Sequence, residues 1–148
     1  MQIKIGLIRN LPHIRSSVEL LVIIMIKEIT IRDFFSFRGE HTIKLNSGVN
    51  LLLGVNGSGK TSFLNAITVL YEGIVGNGLS DLFRQWGSYA SIVNACGEDR
   101  PDCFSLSYVF DATELKKLVP SSPFQYDVHY TITVFPLGNG SNYSLCET

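Results

Sequence analysis

The chain is poor in cysteine, in net charge and in long apolar runs, and each shortage removes a class of protein. Its three cysteines, Cys96, Cys103 and Cys146, are odd in number and form no C-x-x-C pair. Neither a disulfide framework nor a zinc site is indicated, and a reducing, cytoplasmic compartment is expected. The net charge of −1 gives no global pull toward nucleic acid or an anionic membrane. The apolar run Leu20-Leu21-Val22-Ile23-Ile24-Met25-Ile26 is too short to span a bilayer, and Glu19 and Lys27 bracket it. Arg9 and Arg15 precede that run as basic residues precede a secretory signal, but no small-residue cleavage site follows before Lys27-Glu28, so no membrane partner is expected. No basic stripe is interleaved with aromatics, so direct DNA contact is not visible either.

What remains is an ordinary folded composition. Hydrophobic residues make up 45% and charged ones 17% of 148 residues, enough for about one domain with a real core. The charge is unevenly spread. Residues 1–60 hold eight Lys/Arg against four Asp/Glu, and residues 61–148 hold four against nine. The positive half therefore suits a polyanionic ligand.

That half contains the most informative stretch. Gly54, Gly59, Lys60 and Thr61 stand at the spacing G-x-x-x-x-G-K-[ST], the phosphate-binding P-loop. The apolar run Val49 to Leu53 leads in as a buried strand would, and Phe63, Leu64, Ile67, Leu70 and Tyr71 follow at helical spacing. Strand, glycine loop and helix is the order that phosphate chemistry requires. Gly54, Gly57 and Gly59 let successive N–H groups turn inward around an anion, and the loop opens onto a helix N-terminus that favours negative charge. Lys60 reaches the β- and γ-phosphates as a point charge, and the Thr61 hydroxyl ligates Mg²⁺. The binding set for ATP is thus Gly54, Val55, Asn56, Gly57, Ser58, Gly59, Lys60, Thr61 and Ser62, with Thr61 as the Mg²⁺ ligand and Lys60 as the sole catalytic candidate.

The rest of the chain reads in order. Met25 to Arg32 alternates apolar and polar as a half-buried first strand, so residues 1–24 are an extension before the domain of 25–148. Phe34-Phe35-Ser36-Phe37-Arg38-Gly39 forms an aromatic turn, and His41 to Leu45 alternates again. His41 is a solvated strand residue, with no second ligand at metal spacing. The P-loop helix ends near Glu72-Gly73, and a Gly-rich linker runs through Gly76, Asn77 and Gly78. A short helix is expected over Leu79 to Trp86, with Trp86 as a packing residue. Strand-like runs follow at Tyr89 to Ala95, Cys103 to Phe110 and Tyr126 to Val134, with a turn over Gly97 to Asp102. Asp111 to Val119 forms a helical turn stopped by Pro120 and Pro123. Together these runs read as an antiparallel meander.

Two of these stretches combine into a resemblance. Ile29 to Arg38, a strand of "hxIxNFxSF" type, precedes Asn50 to Ile67, whose core is Gly-x-Asn-Gly-Ser-Gly-Lys-Thr-Ser. The pair resembles the N-terminal lobe of the SMC/RecF/OLD-like AAA (ABC-class) P-loop ATPase heads over roughly residues 25–135. The resemblance implies an α/β fold: a P-loop NTPase N-terminal lobe with a mixed sheet and an antiparallel β meander around the P-loop helix. It implies ATP and Mg²⁺ as cofactors, Asn56 beside the γ-phosphate, and a second ATPase head that dimerises around ATP. DNA repair or anti-phage defence is the implied setting, with a nuclease and DNA as further partners. Asp33 stands where the family commonly has Asn. No aliphatic run ends in Asp-Glu, and no Leu-Ser-Gly-Gly-like stretch is present. Asp111 is read as a strand end and turn, and neither Gln85 nor Gln125 as a Q-loop. The chain accordingly looks like the first lobe of a longer protein, binding nucleotide with little turnover of its own. An ABC-transporter nucleotide-binding subunit and a non-catalytic nucleotide-binding or interaction module stand as alternatives.

Overall fold

The computed structural model describes residues 25–74, 78–94, 101–118, 120–121, 124–137 and 142–148. The expected extension over residues 1–24, Gly76 and Asn77 of the linker, most of the Gly97 to Asp102 turn, Cys96 and Pro123 lie outside the described residues.

Strand β1 (Ile26–Arg32) pairs antiparallel with β2 (Glu40–Lys44) on one side and with β3 (Phe104–Phe110) on the other. Strands β4 (Val128–Leu137) and β5 (Asn142–Glu147) continue outward from β3, giving the antiparallel order β2-β1-β3-β4-β5. Of the three runs expected to form a meander, the second and third are β3 and β4, which pair antiparallel; β5, outside those runs, adds the next strand. Alternation in β3 is complete: Phe104, Leu106, Tyr108 and Phe110 are buried while Ser105, Ser107 and Val109 turn outward. Strand β1 departs from strict alternation. Ile26 and Ile29 are both buried because the register with β3 shifts between Ile26 and Glu28, a bulge that absorbs one residue.

Helix α1 (Lys60–Ile74) lies against the inner face of the sheet. Phe63, Ala66, Ile67, Val69 and Leu70 are buried with Ile29, Ile31, Leu106, Tyr108, Ile132 and Val134. The apolar stripe at helical spacing supplies that face. One polar bond fixes the packing: the buried Tyr108 hydroxyl donates to the Ala66 carbonyl at 2.7 Å. Helix α2 (Leu79–Gln85) follows as expected, and Trp86 at its C-terminal cap packs on Phe34, Phe35 and Phe83 with ring centroids 5.4–6.3 Å apart. It is a packing residue in the described structure.

Two expected strands are corrected. Over the described part of Tyr89 to Ala95, residues 89–94, no strand forms. Its first part is a helical turn, α3 (Tyr89–Ile92), after which Val93 makes a single bridge to Phe34. Tyr89, Ile92 and Val93 recur at i, i+3 and i+4, and Ile92 and Val93 are buried, so helical rather than alternating spacing prevailed. The P-loop lead-in Val49 to Leu53 is not a buried strand either. Asn50 and Leu51 make isolated bridge contacts only, Leu53 is 78% exposed, and the Asn50 side chain turns back to bond Asn46. An apolar run becomes a strand only where neighbouring strands pair with it, and none of the five described strands does. Helix α4 (Ala112–Leu118) starts at Asp111, whose Oδ1 accepts the Thr113 and Glu114 N–H groups at 2.7 and 3.3 Å. This is an N-cap, in keeping with its strand-end and turn reading.

Candidate functional site

Residues 54–62 form one tight loop that runs into the start of α1. Gly57 and Gly59 take φ of +84° and +90°, which L side chains rarely adopt. Ser58 N donates to the Val55 carbonyl at 3.2 Å, closing the loop, and Phe63 N donates to the Gly59 carbonyl at 2.9 Å as α1 begins. No acidic residue occupies the first turn of α1, so nothing on the helix itself offsets its positive N-terminus.

Lys60 reaches back over the loop. Its Nζ donates to the Gly54 and Val55 carbonyls at 2.7 and 2.6 Å and to Ser58 Oγ at 3.4 Å. The ammonium therefore lies within the space that the loop encloses, and a phosphate would draw it from backbone carbonyls to a full negative charge. Space there is tight. A Cβ on Gly54 would come within 2.3 Å of Ser58 Oγ and 3.1 Å of Ser58 Cβ. Val55, Asn56, Gly57, Ser58 and Thr61 are open to solvent, and Ser62 is buried.

Ser62 faces the aromatic turn that ends the "hxIxNFxSF" stretch, a contact that sequence reasoning did not predict. Ser62 Oγ and Ser36 Oγ share a hydrogen bond at 2.7 Å, and Ser36 N points to Ser62 Oγ at 3.4 Å. The β1–β2 loop thus abuts the P-loop. The partners are 26 residues apart, and no local spacing signal announces that contact. Of the other residues weighed, His41 is exposed with its Nε2 against the Arg38 carbonyl at 2.7 Å. Asp33 adopts φ +52°, a region open to Asp and Asn alike, and its Oδ1 accepts the Gly39 N–H at 2.7 Å. The departure from Asn leaves this turn intact. Cys103 and Cys146 are free thiols. Among the described residues no helix is long and apolar enough to cross a membrane.

Comparison with known proteins places this geometry in context. Residues 28–93 match the family described as an AAA domain. A stretch of 51 residues is 41% identical to the DNA double-strand break repair Rad50 ATPase of Archaeoglobus fulgidus, spanning 34% of this chain and 6% of that protein's length. An SMC ATPase solved in a study of ATP-driven dimerization and DNA-stimulated activation superposes with a TM-score of 0.61 at 18% identity, covering 83% of this chain and 69% of the other. The SMC head bound to the C-terminal winged-helix domain of ScpA gives a TM-score of 0.59 at 20% identity, covering 82% of this chain and 35% of that one. At those identities the two structures bear on the fold alone.

Proposed function

The chain belongs to the SMC/Rad50-like AAA P-loop ATPases and carries the P-loop lobe of their head, and from that premise we propose that it binds Mg²⁺-ATP through residues 54–62 as part of a cytoplasmic DNA-repair or anti-phage ATPase. The observation that carries the reading is Lys60, whose Nζ sits over the Gly54 and Val55 carbonyls at the N-terminus of α1. In this reading the inward N–H groups of the loop hold the β-phosphate, Lys60 neutralises the β- and γ-oxygens, and the exposed Thr61 hydroxyl ligates Mg²⁺. Asn56, exposed on the loop, is the residue that the family resemblance implies beside the γ-phosphate.

Turnover is assigned to a composite site. The sequence has no Walker B carboxylate pair and no signature loop of its own, so water activation and closure over the γ-phosphate come from other segments and from a second head. Leu53 at the end of the lead-in and Val55 within the loop are 78% and 79% exposed, a surface open to completion by other segments. The relative named for double-strand break repair supports the DNA-repair setting, and the SMC ATPase studied for ATP-driven dimerization supports pairing of heads. A nuclease partner and contact with DNA belong to the same proposal.

The test is calorimetric titration of Mg²⁺-ATP into the chain and into its Lys60→Ala variant. Binding that is lost with Lys60 supports the assignment. Equal affinity in the two proteins refutes it.

A further inference from the structure

The β1–β2 loop is held more firmly than a connection needs. Asp33 and Phe35 adopt φ of +52° and +49°, a conformation that costs non-glycine residues free energy and persists only where surrounding bonds enforce it. Those bonds are present. Asp33 N donates to the Gly39 carbonyl at 3.2 Å, and Gly39 N donates back to Asp33 Oδ1 at 2.7 Å. Phe35 N donates to the Ile92 carbonyl at 2.6 Å, Asn94 N to the Asp33 carbonyl at 2.9 Å, and Asn94 Nδ2 to the Phe35 carbonyl at 2.7 Å. Phe34, fully buried, anchors the loop in the core.

The consequence of this bracing lies at the next two residues. Ser36 Oγ is hydrogen-bonded to Ser62 Oγ at 2.7 Å. Both Ser36 and Phe37 crowd Gly59: a Cβ there would meet Ser36 Oγ at 3.1 Å and the Phe37 ring at 3.3 and 3.4 Å. Gly59 is the last glycine of the P-loop, and Ser62 follows Thr61 in the first turn of α1. A braced loop therefore touches the P-loop turn at two points, Ser62 and Gly59.

We propose that Ser36 is a positioning residue for nucleotide binding, fixing the rotation of the first turn of α1 through Ser62. With that rotation fixed, the Thr61 hydroxyl and the N–H groups of residues 59–61 keep one direction before the ligand arrives, and the ordering cost of binding is reduced. The Phe37 ring closes the side of Gly59 toward which the turn could otherwise yield. This inference rests on the Mg²⁺-ATP reading of the P-loop.

The test is Mg²⁺-ATP calorimetry on the full chain and on Ser36→Ala, Ser62→Ala, the double variant and Ser36→Thr, alongside Lys60→Ala. Losing one such hydrogen bond is expected to weaken binding about three- to tenfold in each single variant. The double variant should lose no more than either single one, because both remove the same bond. Ser36→Thr, which keeps the hydroxyl, should restore affinity, and the ligand-free Ser36→Ala and Ser62→Ala variants should melt only a few degrees below wild type, as for one lost hydrogen bond. Wild-type affinity in Ser36→Ala, or losses that multiply in the double variant, would overturn the role of Ser36. If Ser36→Ala does not fold, the pair Ser62→Ala and Ser36→Thr decides: loss in the first with retention in the second supports the inference, and the reverse sinks it. Wild-type protein that fails to bind, or binds no better than Lys60→Ala, refutes the nucleotide reading and this inference with it. Binding that Lys60→Ala loses and Ser36→Ala keeps removes only the latter.

Discussion

The bond between the sheet and the P-loop helix offers a test with a pH signature. Tyr108 is fully buried, and its hydroxyl donates to the Ala66 carbonyl at 2.7 Å. Tyr108→Phe removes that donor with little change of shape. A net intramolecular hydrogen bond contributes about 1 kcal/mol, which corresponds to roughly 3–5 °C in Tm for a chain of this size. Burial, with a smaller contribution from Tyr130, pushes the Tyr108 hydroxyl well above the ordinary tyrosine range. The folded protein therefore keeps this proton where the unfolded chain loses it, near pH ~10. Stability from a group with a raised acid pKa falls as pH rises above the unfolded value, by about 1.4 kcal/mol per unit. The wild-type advantage of about 1 kcal/mol at neutral pH should thus shrink to nothing between about pH 10.5 and 11, and then reverse. Tyr130 is present in both proteins, so its own titration largely cancels from the difference. Urea midpoints of the two proteins at pH ~7, ~10 and ~11 measure this. A difference that does not change with pH, or no difference at neutral pH, would refute the reasoning.

Three further perturbations address the loop and the sheet edge. Gly54→Ala should weaken Mg²⁺-ATP binding about ten- to hundredfold, because the new Cβ meets Ser58 at 2.3 Å and displaces the loop. Its unfolding midpoint should hardly move, since residues 53–58 are exposed; calorimetry and a melt on one preparation check both. Thr61→Ala should leave ATP binding indifferent to Mg²⁺, read as equal affinity with the metal and with a chelator. Asp127→Asn concerns the ion pair with Lys27, which joins β1 to the start of β4. The Lys27 hydrogen bond first, then the Ala112 N–H, hold the Asp127 carboxyl below its usual value. Its stabilisation is present above the unfolded carboxylate value and lost as pH falls through the lowered folded one. Wild type should therefore exceed Asp127→Asn in urea midpoint at pH ~6, and the two should converge near pH ~2.

The parts of the fold legible in the sequence are those whose signal is local. Alternation along β3 and the stripe Phe63–Leu64–Ile67–Leu70–Tyr71 of α1 report a buried face directly, whatever lies opposite. The P-loop motif was legible for the same reason, since its glycines, Lys60 and Thr61 fall within eight consecutive residues, Gly54 to Thr61. Where the outcome depended on a distant neighbour, the sequence was silent or misleading. Val49 to Leu53 has a strand's composition, but pairing is a property of two segments, and Leu53 stands exposed without a described partner strand. At Tyr89 to Val93 the segment is five residues long, too short for periodicity to separate a turn of helix from a strand.

The most consequential omission has the same cause. Ser36 and Phe37 were visible as members of an aromatic turn and of the "hxIxNFxSF" motif, but not as contacts of the P-loop, because those contacts are with Ser62 and Gly59 across 26 and 22 residues of chain. The positive φ at Asp33 and Phe35 is likewise enforced by Ile92 and Asn94, from a segment whose structure the alternation pattern did not predict. The phosphate turn and its brace therefore differ in kind. The turn is specified by residue type, so it survives wherever its nine residues and the following helix are kept. The brace is specified by packing, so it depends on Phe34 in the core and on Asn94 beyond α3. A substitution at Asn94, far from any phosphate, should then loosen the loop that positions Ser36 while leaving every P-loop residue in place.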